Sequence, residues 1–218
     1  MGKAPELIQY CMKTEILRAD HPVAIRHAAD ILKHGGLVAF PTDTVYGLAT
    51  LPFKVEYVER LYTAKGRNSE RAIGILLGDI SQITQVTPEM GKMAVKLARR
   101  FWPGPLTLIV PRLPQLPNIL SSNLTIGVRI PDHPVALSLL KLVGPLAVTS
   151  ANLSGNANTN TAQQVLDQLD GRVHLILDGG QTPGGVPSTV ADCTGTETLI
   201  LREGPISLVE LKLVLSGD

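Results

Sequence analysis

Two short runs place polar side chains two residues apart: Lys65-Gly66-Arg67 and Ser150-Ala151-Asn152. Side chains at i and i+2 point the same way only where the chain is extended. Gly66 permits a break from helix, so Lys65 and Arg67 could converge on one anion, with Arg71 four residues further on. The structural alternative is a basic last helical turn ahead of a C-capping glycine. Ser150 and Asn152 follow an apolar run and offer uncharged donors and acceptors suited to a phosphate edge or an amino-acid head group. A strand-ending turn explains the same residues.

The run Pro41-Thr42-Asp43-Thr44-Val45-Tyr46-Gly47 is denser in polar groups than a plain strand exit. Thr42 and Thr44 share a face if extended. Asp43 could ligate Mg²⁺, but closing an Asx turn is the favoured reading. Gly179-Gly180 and Gly184-Gly185 are candidate anion-binding backbone nests or simple turns. Neither G-x-x-x-x-G-K-[ST] nor G-x-G-x-x-G is present. Trp102-Pro103-Gly104-Pro105 reads as architecture and His133 as a turn residue. No Ser-His-Asp or Cys-His set stands out, so chemistry would rest on charge placement and orientation.

The elements that must position these residues alternate. Helices are expected at 22–33 (capped by Asp20), 55–64, 87–101 (Thr87 cap, Pro88 at N1), 134–142, 161–171 and 207–215. Thr161 with Gln164, and Ser207 with Glu210, form capping boxes. Strands are expected at 37–41, 72–77, 106–110, 125–130, 146–149, 173–177, 189–191 and 199–201. Four of them run into polar clusters: 41–44, Arg129, 149–152 and 187–189. In open α/β sheets ligands bind beyond strand ends, so one polar pocket shared by several strands is expected.

Composition narrows the class. Hydrophobic residues make up 44% of the 218, enough for a core in a single α/β domain over 1–218. A net charge of +1 argues against a strongly basic nucleic-acid binder. Cys11 and Cys193 give no disulfide framework and no C-x-x-C, and the five histidines form no H-x-x-x-H, so no protein-held metal is expected. No apolar run suits a membrane span, the first twelve residues do not read as a signal, and Glu6 breaks the myristoylation pattern after Met1-Gly2. A cytoplasmic protein is expected.

The ordered blocks 36–48, Lys65-Gly66-Arg67, 102–107, 128–133, 149–155, 187–190 and 201–204 resemble the YrdC-like family of threonylcarbamoyl-AMP synthases over about residues 20–215. The resemblance implies a twisted mixed sheet with flanking helices and a concave, positively lined cavity. It implies that threonine, bicarbonate or carbon dioxide, and ATP give threonylcarbamoyl-AMP and pyrophosphate, with Mg²⁺ accompanying ATP. A separate threonylcarbamoyl transferase would carry the product to tRNA, with weak or indirect tRNA contact by this chain. Carried over by motif, Lys65 and Arg67 are catalytic and hold phosphates. Thr44, Arg129, Ser150 and Ser188 bind threonine; Arg71, Thr125, Asn152 and Arg202 help place ATP. Asn68 and Ala72-Ile73 replace a proline and a Pro-Leu pair found in many members. The resemblance also implies a stand-alone domain without the C-terminal domain of longer members. The other readings are an RNA-binding module and the carbamoyl-transfer domain of hydrogenase-maturation proteins.

Overall fold

The computed structural model describes residues 13–68 and 71–217, so Cys11 and the first residues lie outside it. In chain order the elements are β1 (Glu15–Arg18), α1 (Ala24–Lys33), β2 (Val38–Phe40), β3 (Gly47–Thr50), α2 (Val55–Lys65), β4 (Gly74–Leu76), α3 (Lys92–Phe101) and β5 (Leu106–Pro111). There follow β6 (Thr125–Arg129), α4 (Pro134–Val143), β7 (Leu146–Ser150), α5 (Ala162–Leu169), β8 (Leu175–Asp178), β9 (Thr189–Asp192), β10 (Leu199–Arg202) and α6 (Leu208–Ser216). Short 3₁₀ turns occupy Ile80–Gln85 and Asn118–Leu120.

All ten strands form one mixed sheet in the order β1-β8-β2-β3-β7-β4-β6-β5-β9-β10. Parallel pairs such as β4/β6 and β5/β9 alternate with antiparallel pairs such as β3/β7 and β5/β6. One face is continuously apolar: Ala39, Leu48, Ile75, Leu108, Val128 and Ala191 pack in one cluster with residues of α2, α3, α5 and α6. On the opposite face, α1 and α4 bury Val38, Phe40, Ala49, Leu146 and Leu175. Those two helices cover only part of that face. Over β5 and β6 it is left open, and there the burial alternates along each strand. Alternation of this kind is what a sheet with one solvated face shows. The uncovered part holds the site.

Local signals account for most boundaries. The Ser207–Glu210 capping box is complete, whereas Gln164 reaches back to the Asn160 amide while Thr161 caps Gln164 N. Three expectations need correction. Helix α1 begins at Ala24 with no side-chain cap, because the Asp20 carboxylate is engaged by Arg18. Helix α3 begins at Lys92 after Gly91, not at Pro88; the Thr87 hydroxyl instead donates to the Glu89 carbonyl. Strands β1 and β3 were not anticipated; β3 is a short run whose Gly47 and Thr50 broke the apolar pattern.

Candidate active site

A cavity of about 400 Å³ opens on the uncovered part of the sheet. Its floor is the backbone of β4 and β6, where Gly74 and Gly127 lie side by side. A Cβ on Gly127 would sit 3.0 Å from Thr107 Cγ2, and one on Gly74 would sit 3.1 Å from the Gly127 carbonyl oxygen. Glycine therefore keeps this floor low. Polar side chains enter from the strand ends: Thr44, Arg67, Arg129, Ser150, Ser188 and Arg202 all line the wall. Six residues from six separate segments thus meet at the pocket; Thr44, Arg129, Ser150 and Ser188 come from the four strand-end clusters, whereas Arg67 follows α2 and Arg202 closes β10.

Arg129 ends β6 and is almost fully buried. Its Nε donates to the Gly104 carbonyl at 2.9 Å and its Nη1 to Thr44 Oγ1 at 3.1 Å, while Nη2 pairs with Asp43 Oδ1. The Trp102–Pro105 turn, whose Trp102 indole donates to Leu106 O, thereby orients a guanidinium. Burial pulls the Arg129 pKa down and the Asp43 charge opposes it. Asp43 is an ion-pair partner and not the closer of the turn. Thr42 Oγ1 closes it, accepting from the Thr44 and Val45 amides. The second oxygen of Asp43 and the Nδ1 of His133 are buried without a hydrogen-bond partner.

Gly66 is left-handed at φ 59°, and the Arg67 amide donates to Tyr62 O at 3.0 Å, so the helix-capping alternative holds at this turn. The turn also sends the two cations apart. Arg67 reaches the cavity, with Nη1 on Thr149 Oγ1 at 2.9 Å and Nη2 on Ala72 O at 2.9 Å. Lys65, 3% exposed, turns inward to the Ser150 and Asn152 carbonyls and the Asn152 side chain. Burial, and then the positive charge of Arg67, pull its ammonium down to about 7. Lys65 and Arg67 therefore do not meet on one anion, because Lys65 is still helical and the spacing rule holds only in extended chain.

Asn152 is also turned inward. Its Oδ1 accepts from Lys65 and Ser150, and its Nδ2 donates to Leu153 O and Asn156 O, which saturates the amide. Its side-chain amide has no hydrogen-bonding capacity left over. Thr125 shares a strand face with Gly127 and Arg129 but lies beyond the lining residues. Arg71 is exposed and off the wall. The glycine nests are also corrected. The amides of Gly179, Gly180 and Gly185 donate to Tyr46 Oη, Asp178 Oδ1 and Thr44 O. Gly184 is needed for close approach, since a Cβ there would lie 2.9 Å from Asp43 O.

Opposite Arg67, Arg202 donates from Nε and Nη2 to the Ser188 carbonyl at 3.0 and 2.8 Å, and from Nη2 to Ser188 Oγ at 3.0 Å. Ser188 Oγ also meets Thr107 Oγ1 at 2.8 Å. Burial lowers the Arg202 pKa, and the charge of Arg67 lowers it further. Among the described residues, Arg67 and Arg202 have no carboxylate partner, whereas Arg129 has Asp43. The wall is thus electropositive and suited to anions. Thr149, expected in the pocket as part of the 149–152 cluster, lines it too, and Thr107 and Asn158 also line it and were missed as site residues. Thr107 was legible as a hydroxyl between Leu106 and Leu108, on the alternate face of a strand; Asn158 is in a loop with no such signal. Among the described residues no group of three or more His, Cys, Asp or Glu could hold a metal, and no helix is long and apolar enough to cross a membrane.

A family profile described as Telomere recombination (Sua5_yciO_yrdC) matches residues 30–204. The chain is 40% identical over 205 residues to the threonylcarbamoyl-AMP synthase of Bacillus subtilis, covering 93% of this chain and 59% of that protein. The structure of Pyrococcus abyssi Sua5 complexed with L-threonine superposes with a TM-score of 0.87 at 37% identity, over 94% of this chain and 60% of that one. E. coli YciO superposes with a TM-score of 0.80 at 27% identity, over 91% of this chain and 98% of that one. The chain spans under two thirds of the length of the Bacillus and Pyrococcus relatives.

Proposed function

The chain belongs to the Sua5/YciO/YrdC family, and from that premise we propose that it is a threonylcarbamoyl-AMP synthase. The observation that carries the reading is the gathering of three guanidiniums, only one of them paired with a described carboxylate, over a glycine floor in one cavity. The name of the Bacillus relative and the threonine bound to the Pyrococcus protein support it.

In the proposed reaction the threonine nitrogen attacks carbon dioxide and loses a proton, giving a carbamate. A carbamate oxygen then attacks the α-phosphorus of ATP; the new P–O bond forms as the bond to pyrophosphate breaks. Arg129 has two N–H groups left after its three protein contacts, and these suit the threonine carboxylate. Arg67 and Arg202 face the polyphosphate and stabilise charge on the leaving group. Ser188, held by Arg202 and Thr107, sits between the two subsites. No protein nucleophile is needed; positioning and charge supply the rate.

Magnesium enters this reading as the companion of ATP. Asp43 is engaged by Arg129 and the wall is cationic, so the phosphate oxygens, not a protein cage, are its natural ligands. When bound it neutralises phosphate charge alongside Arg67 and Arg202. The product is a mixed anhydride prone to hydrolysis, and a threonylcarbamoyl transferase would deliver it to tRNA in the cytoplasm, with little direct tRNA contact here. The test is pyrophosphate release with ATP, threonine and bicarbonate omitted in turn. Release should require all three, and equal release without threonine would refute the reading.

A further inference from the structure

A lysine ammonium has three N–H donors and no lone pair. Lys65 Nζ lies 2.5 Å from Ser150 O, 2.6 Å from Asn152 O and 3.1 Å from Asn152 Oδ1. While Lys65 is charged, the end of the Asn152 amide facing it must therefore be oxygen. The other end agrees, since Nδ2 lies 3.0 Å from Leu153 O and 2.8 Å from Asn156 O. Ser150 Oγ is 2.6 Å from the same Oδ1. An amide oxygen only accepts, so the single Ser150 proton points at Asn152, and what Ser150 turns to the cavity is lone pairs.

Thr44 has the same polarity. Thr42 Oγ1 gives its proton to Val45 O at 2.7 Å, so the 3.0 Å contact between the two threonine hydroxyls is donated by Thr44. Arg129 Nη1 donates to Thr44 Oγ1 at 3.1 Å. Thr149 is the reverse: it accepts from Arg67 Nη1 and keeps its proton to give. The wall thus carries two acceptor-only hydroxyls, Thr44 and Ser150, amid its cations. Neither can hydrogen-bond a phosphate or carboxylate oxygen, whereas both suit an N–H group.

We propose that Lys65 is a positioning residue: acting through Asn152, it holds the Ser150 hydroxyl as an acceptor towards the cavity, where Ser150 and Thr44 select the N–H of the amino-acid substrate, and Lys65 itself does not touch phosphate. The proposal rests on the synthase reading and assigns the nitrogen end of the threonine subsite.

Lys65→Met keeps the stem and removes the donors. In the pyrophosphate assay its KM for threonine should rise about tenfold or more while its KM for ATP stays within about twofold, the scale of one lost hydrogen bond. A rise in the ATP constant with the threonine constant unchanged would make Lys65 a phosphate ligand and overturn the proposal. Ser150→Ala leaves Lys65 in place and guards against misfolding of the Met variant; it should show the same threonine-selective loss. Calorimetry with threonine and with 3-hydroxybutyrate, which lacks the nitrogen, needs no turnover. The preference of wild type for threonine over this analogue should shrink about tenfold in Ser150→Ala. An unchanged preference would overturn the proposal. Wild type that turns over but shows ATP-selective variants sinks this inference alone; wild type that neither turns over nor binds threonine sinks the functional reading with it.

Discussion

Arg67 holds its guanidinium between a hydroxyl and a carbonyl, with Nε buried and unpaired, and burial lowers its pKa. A charge-assisted hydrogen bond is worth about 1.5–3 kcal/mol, so Arg67→Ala should lower kcat/KM roughly 10- to 150-fold in the pyrophosphate assay. Arg67→Lys should recover only part, because an ammonium cannot reproduce a planar fork. Asp43 makes a different prediction. Asp43→Ala leaves the Arg129 guanidinium, 5% exposed, without its charge partner. The cost should be about 3–5 kcal/mol, a fall in Tm of roughly 6–20 °C by calorimetry. Unchanged Tm would mean the pair is not maintained in solution. At this scale Arg129 and the hydroxyls of Thr44, Ser150 and Ser188 were legible because they lie beside strand ends, Arg67 from its spacing to Lys65, and Arg202 only through the family resemblance. Lys65 and Asn152 turn inward rather than into the cavity for one reason: at both, the chain leaves the extended geometry that the i, i+2 argument requires. The Asp43–Arg129 pair joins residues 86 apart in sequence, and nothing local announces it.

Helix α2 and its glycine stop position two of these side chains. Gly66 adopts a left-handed φ of 59° with open space around it, so an alanine there meets no clash and only backbone strain. Gly66→Ala should cost about 1–2 kcal/mol and lower Tm by roughly 2–8 °C. Lys65, the last residue of that helix, makes stability depend on pH. Its ordinary pKa of 10.5 falls to about 7 in the folded protein. Above pH 7 the unfolded chain still binds that proton and the folded chain does not, so stability rises with pH. The rise should run from pH 7 towards 9, before Cys193 and Tyr46, raised to about 11 and about 12, pull the other way. Denaturation midpoints should climb across this window in wild type and lose most of the slope in Lys65→Met; an equal slope in both would contradict it. Helix existence and the strands from β4 onward followed from periodicity and caps. The start of α3 did not, because a Thr-Pro pair suits a turn as well as an N-terminus, and β3 did not, because its Gly47 packs its missing side-chain space against Val148.

On the scale of the whole molecule, two helices cover part of one sheet face and leave the rest as a cationic bowl. A polar pocket was expected from four strand ends carrying polar clusters, while its positive lining and the proposed chemistry came from the resemblance carried by seven ordered blocks. A net charge of +1 leaves little for long-range attraction to nucleic acid. Binding to bulk tRNA should be weak and should vanish by physiological salt; tight binding with a salt slope near zero would point to specific RNA recognition instead. The central claim is that the cavity joins carbon dioxide, threonine and the α-phosphoryl of ATP. Incubation with ¹³C-bicarbonate, threonine and ATP, followed by mass spectrometry of the quenched nucleotides, tests it directly. The account predicts an adenylate of N-carboxythreonine, joined through the carbamate oxygen and carrying one ¹³C, formed in step with pyrophosphate. Pyrophosphate release with only unlabelled AMP or threonyl-AMP, or release of ADP, would contradict it.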